Sequence, residues 1–154
     1  MTNISLEPEV SVPSDAEQFL HFPDGQIFYV LPKNGDRIFP IHVFEGRNVQ
    51  HETIDEWHDH MAEVIIKCTD SAIFLLHDFR NPNVYATPYA IAKSKSLRAL
   101  RSNLPGASVL AIGRQTLFLS LAMAVTRNMP SSRPVNAFLG YDEAVKWLCR
   151  KMVL

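Results

Sequence analysis

The sequence predicts one α/β domain: an N-terminal hairpin leading into a mainly parallel sheet flanked by four helices. Three observations predict it. The chain has 154 residues, 47% hydrophobic and 20% charged, which suits a single core. An Asn-Gly turn joins two aromatic and β-branched runs near the N-terminus. Thereafter short continuous apolar runs alternate with segments of helical spacing, the pattern of strands buried on both faces and crossover helices.

Taken in order, residues 1–18 are acidic and aperiodic, with Phe19, Leu20 and Phe22 able to dock their end. Residues 1–22 are therefore expected to form a partly ordered arm and 23–154 the domain. Pro23-Asp24-Gly25 is a turn. Gln26–Leu31 and Arg37–Glu45 are strands joined through Lys33-Asn34-Gly35-Asp36, and Pro40 places the second at an edge or bulge. Thr53-Ile54-Asp55-Glu56 reads as a capping box that opens a helix burying Ile54, Trp57, Met61, Val64, Ile65 and Cys68. Ala72–Leu76 is a buried strand. Thr87-Pro88 caps a helix that runs to about Asn103, buries Tyr89, Ala92, Ala99 and Leu100, and stops at Pro105-Gly106. Ser108–Ile112 is a strand and Gln115–Asn128 a helix. Val135–Leu139 is the last strand, and Asp142–Met152 the last helix, burying Ala144, Val145, Leu148 and Cys149.

Charge is unevenly distributed. Residues 1–78 carry 14 acids and 4 bases, whereas residues 79–141 carry 8 bases and no acid. An anion-attracting face is one reading, and opposite charges meeting across a folded surface is the plainer one. Four cations within Lys93–Arg101 read as a solvated helix face. No interleaved aromatics or nucleic-acid motif accompany them, so specific nucleic-acid binding is not expected. No apolar run is long enough to span a bilayer, and the first ten residues carry two Glu and no cationic leader. Two cysteines, Cys68 and Cys149, fit a reducing compartment, so a cytoplasmic location is expected.

Candidate sites are few. Asp78 and Arg80 follow a strand, and Arg114 follows another. At the carboxyl edge of a parallel sheet they can join helix N-termini in an anion pocket; a structural Asp78–Arg pair is the simpler alternative. His51, Asp55, His58, Asp59 and His60 look like metal ligands. On a helix, however, His58 and His60 lie about 200° apart, so no metal site is expected. His77 beside Asp78 makes no catalytic pair, because strand neighbours face opposite ways. No enzyme and no cofactor are expected. The helix Gln115–Asn128 is apolar almost all round. If Leu117, Leu121, Ala124 and Val125 pack on the sheet, then Phe118, Leu119, Ala122 and Met123 face elsewhere. A second core layer, an apolar-ligand pocket and a homodimer interface all fit, and the interface is preferred.

This order, with AIFLLHDFRN, Thr87-Pro88, PGASVLAIGR and VNAFLGYDEAVKWL, resembles the STAS-like domains of bacterial anti-sigma-factor antagonists and their relatives with a CRAL-TRIO-like lipid-binding fold. The resemblance spans residues 26–152. It implies a regulatory, protein-binding role, with a second copy or another regulatory protein as partner. The alternative it implies is a lipid-like or anionic small molecule bound at the strand edge. The antagonists' phosphoacceptor serine would fall near Thr87, where Tyr85-Ala86-Thr87-Pro88 lacks the serine-glycine pattern; Thr87 reads better as a cap.

Overall fold

A computed structural model describes residues 16–22, 25–30, 39–46, 51–81, 87–128 and 131–152; of side chains, those of 16–22 and 25–30 and of Phe118, Ala122 and Val125 fall outside the description. Ten elements follow in chain order: β1 (Ala16–Phe22), β2 (Gly25–Val30), β3 (Ile41–Gly46), α1 (His51–Lys67), β4 (Ile73–Phe79), α2 (Pro88–Ala99), β5 (Gly106–Ile112), α3 (Leu117–Arg127), β6 (Val135–Leu139) and α4 (Tyr141–Met152). The six strands form one sheet in sequential order. β1, β2 and β3 are antiparallel neighbours, and β3 to β6 run parallel.

That order decides where the helices lie. Each parallel strand is added on the same side of the last, so right-handed crossovers place α1, α2 and α3 on one face. α4 covers the other. Strand alternation separates the two interiors. Val109 and Ala111 of β5 and Leu76 of β4 meet Ala144, Leu148 and Met152 of α4. Ile73 and Leu75 of β4 meet Trp57, Met61 and Ile65 of α1 and Leu97 of α2.

The expected hairpin is the β2–β3 pair, and β6 occupies the expected residues. Several expectations need correction. The last seven residues of the segment read as an arm form β1, which pairs with β2 through a register shift between Gln18 and Leu20. β3 is not an edge strand: it lies between β2 and β4, and Pro40 precedes its first residue, where its missing N–H breaks no ladder. α1 starts at His51, so Thr53 and Glu56 lie inside the helix and form no capping box. α2 ends at Ala99, with Leu100 already extended and Arg101 at a positive φ of 43°. Its buried side chain is Leu97, while Ala92 and Ala99 are exposed. α3 starts at Leu117 rather than Gln115, and β5 starts two residues early, at Gly106. There a Cβ would stand 1.7 Å from the Ile73 carbonyl oxygen, so only glycine permits that approach. Cys68 and Cys149 are free and half-buried. Among the described residues no helix is long and apolar enough to cross a membrane.

Candidate functional site

Of the residues singled out at the strand edge, Asp78 and Arg80 fall on the α4 side of the sheet, near Tyr141. Asp78, 5% exposed, accepts from Arg80 Nε and Nη2, both at 2.8 Å, and from the Arg80 backbone N–H at 3.2 Å. The Arg80 guanidinium also lies 5.0 Å from the Tyr141 ring centroid. The two-pronged bond to Asp78 pushes the Arg80 guanidinium further above its ordinary value. This is the structural ion pair weighed against an anion pocket. Arg114 is exposed on the turn after β5. Gly113 packs on Arg80, since a Cβ there would come within 2.5 Å of the Arg80 carbonyl oxygen. Thr87 is the α2 N-cap, its Oγ1 accepting the Ala90 N–H at 3.1 Å.

The histidine-rich flank of α1 is a seam with α2. His51 stacks on Tyr89 at 4.1 Å, Asp55 binds Tyr89 and Lys93, and His58 Nε2 lies 3.1 Å from Ser96 Oγ. The Tyr89 hydroxyl and the Lys93 ammonium both hold the Asp55 carboxyl below its ordinary value. Among the described residues no three His, Cys, Asp or Glu side chains converge as a metal would require.

The basic stretch is largely used within the fold. Arg101 donates to the carbonyls of Ile65 (3.1 Å) and Cys68 (2.7 Å), which end α1. Arg133, buried, donates to the carbonyls of Leu100 (2.8 Å), Arg101 (2.8 Å) and Leu104 (3.1 Å), which follow α2. Cations at helix C-termini meet both unpaired carbonyls and the negative end of the dipole. Arg98 Nη1 in turn donates to the Arg133 carbonyl at 2.8 Å. Arg98 is half-buried, whereas Arg101 is exposed as its spacing suggested and still binds the end of α1.

The most site-like feature is on the opposite face from Asp78. Between the sheet and α1, α2 and α3 lies a cavity of about 200 Å³. Small side chains leave it open: Gly46 on β3, Ala90 and Ser94 on α2, and Ser108 on β5. Its walls are otherwise mostly apolar, with Trp57 and Met61 from α1, Leu110 from β5, and Leu119 and Met123 from α3. It runs along the strands from Ser108 and Val135 at their amino end to Phe79 and Ile112 at their carboxyl end. Four residues of strand between Ser108 and Ile112 make that about 13 Å.

This placement inverts the two faces of α3. Met123 is buried and Leu119 half-buried in the cavity wall, whereas Leu117 and Leu121 are 78% and 57% exposed. Of the four residues expected to face a second copy, Leu119 and Met123 thus turn inward; Phe118 and Ala122 lie outside the described side chains. An all-round apolar helix carries no mark of which side meets the sheet.

His77, 8% exposed, lines the cavity within a ring of aromatics: Trp57 at 5.6 Å, Phe79 at 5.7 Å and Phe44 at 6.5 Å between centroids. Burial alone pushes its pKa down to about 4, so the imidazole is neutral at pH 7. Arg98 and Arg133 line the amino end of the cavity, and burial lowers both guanidinium groups from their ordinary value. No family model, no curated protein and no solved structure matches this chain.

Proposed function

We propose that this chain is a non-enzymatic binding domain whose ligand is a small, mostly apolar molecule held between the sheet and α1, α2 and α3. The observation that carries this reading is the cavity itself. It is walled by Trp57, Met61, Leu110 and Met123, and its apolar surface is interrupted by one neutral imidazole, a few hydroxyls and, at the amino end, Arg98 and Arg133. Preformed apolar cavities with few polar groups are the usual form of small-molecule sites. This reading puts the binding site on the sheet face rather than at the Asp78–Arg80–Arg114 edge. The hairpin followed by alternating helices and parallel strands is the element order on which the STAS-like resemblance, and the regulatory role it implies, rests.

The test is thermal unfolding with small aromatic probes: toluene, phenol and indole. Ligand at ten times Kd stabilises by about 1.4 kcal/mol, which raises Tm by about 3–6 °C at this size. Ala90→Leu, which fills the cavity from α2, is expected to raise Tm without ligand and to abolish the response. No Tm shift with any of the three probes overturns the proposal.

A second reading, self-association, is favoured by a separate observation. Leu117 and Leu121 on α3 and Leu139 at the end of β6, the last strand in the sheet order, are exposed large apolar side chains. Such residues mark association surfaces when they adjoin. Light scattering at high micromolar concentration is expected to give a dimer that Leu121→Glu dissociates; a monomeric wild type contradicts this reading.

A further inference from the structure

Three residues that line the cavity each carry a buried polar atom without a hydrogen-bond partner among the described residues: Trp57 Nε1, His77 Nδ1 and Arg98 Nε. Buried polar groups in folded proteins are nearly always paired, and each exception asks for an explanation. Three exceptions at one cavity share one: a ligand that supplies the partners. Their positions define its polarity. Arg98 donates to the carbonyl of Arg133, and Pro134 next to it accepts the Ser108 N–H, so Arg98 lies at the amino end of β5 and β6. His77 pairs in register with Leu110, two residues beyond Ser108, which is about 7 Å further along the strands. Trp57 is against His77.

The charges differ as well. Arg98, Arg101 and Arg133 form a cationic cluster in which Arg133 feels both others. Among the described residues the acceptors of all three are backbone carbonyls. The segment that carries them, residues 79–141, has no Asp or Glu. A half-buried guanidinium with an unpaired N–H and no acidic partner among the described residues favours a carboxylate. Trp57 offers an uncharged donor, and His77 an uncharged nitrogen of either role. For size, a dry cavity of about 150 Å³ accepts benzene, so this volume suits one ring with a short side chain.

Resting on the binding role above, we propose that the ligand is a small apolar monocarboxylate, with its carboxylate at Arg98 and an uncharged oxygen at Trp57 and His77. The experiment is calorimetric titration of the full chain with 4-phenylbutanol, 4-phenylbutyrate and 4-(4-hydroxyphenyl)butyrate. The acid is expected to bind about tenfold more tightly than the alcohol, since charge-assisted bonds are roughly twice as strong as neutral ones. Arg98→Met is expected to remove that preference by weakening the two acids alone. The hydroxylated acid is expected to bind more tightly than its parent, and Trp57→Phe to erase that difference. Equal affinity of wild type for acid and alcohol overturns the carboxylate assignment while leaving the binding role in place; this comparison needs no variant to fold. Binding of the acid unaffected by the ring hydroxyl overturns the assignment at Trp57 and His77. Binding of none of the three overturns both the ligand class and the binding role.

Discussion

His77 makes the stability of this fold depend on mild acid, by an amount that can be worked out. Its ring is enclosed by Phe44, Trp57 and Phe79, and burial holds its pKa near 4, against about 6.5 in the unfolded chain. Between those values the unfolded chain takes up a proton that the folded one refuses. Stability is therefore full above pH 6.5 and falls as pH drops toward 4. At pH 5 this difference amounts to about 2 kcal/mol. His42 on β3 is pushed to about 4 as well, chiefly by burial, with Asp70 opposing and His60 assisting, and it contributes a similar loss. Urea unfolding at pH 7.5 and pH 5.0 is expected to show the wild type weaker at pH 5.0 by about 4 kcal/mol, and His77→Phe by about half that. Phenylalanine suits the aromatic enclosure, so the variant is expected to fold. Stability equal at the two pH values, or an undiminished drop in His77→Phe, refutes the reasoning.

Other substitutions probe the frame around the cavity. Gly106→Ala forces a Cβ onto the Ile73 carbonyl oxygen and is expected to cost at least about 2 kcal/mol in urea unfolding, because β4 and β5 must separate there. Arg133→Met leaves the carbonyls of Leu100, Arg101 and Leu104 without their shared donor; a loss of about 2–4 kcal/mol is expected by the same assay. Asp78→Asn weakens both prongs of the Arg80 pair and is expected to cost about 1–2 kcal/mol. Because Asp78 faces α4, that change leaves the affinity for 4-phenylbutyrate unaltered.

The parts of this protein that follow from local pattern were legible in its sequence. The β2–β3 hairpin, the apolar strands β4 and β5, the bounds of β6 and the Thr87 cap follow from turn chemistry, short apolar runs and a hydroxyl before proline. β1 was not legible: AEQFLHF has no sustained alternation, and its strand state depends on pairing with β2. The orientation of α3 was not legible either, because apolar residues all round the helix fit several rotations equally well. The cavity arises from residues that are absent from its walls in bulk, Ala90, Ser94 and Ser108, and a stretch of small residues reads as weak amphipathicity. Its signal was the sparse apolar stripe of α2, with Leu97 as the only buried side chain among those described. The roles of Arg101 and Arg133 stayed hidden for another reason. Their partners are backbone carbonyls, which every residue carries and no residue letter marks.

Methyl-resolved NMR during titration with 4-phenylbutyrate tests the central claim most directly. Occupation of the cavity shifts the methyl signals of Met61, Leu97, Leu110 and Met123, which line it, and leaves those of Leu76, Leu148 and Met152 beneath α4 in place. Shifts confined to the α4 side, or none on either face at saturating acid, contradict it.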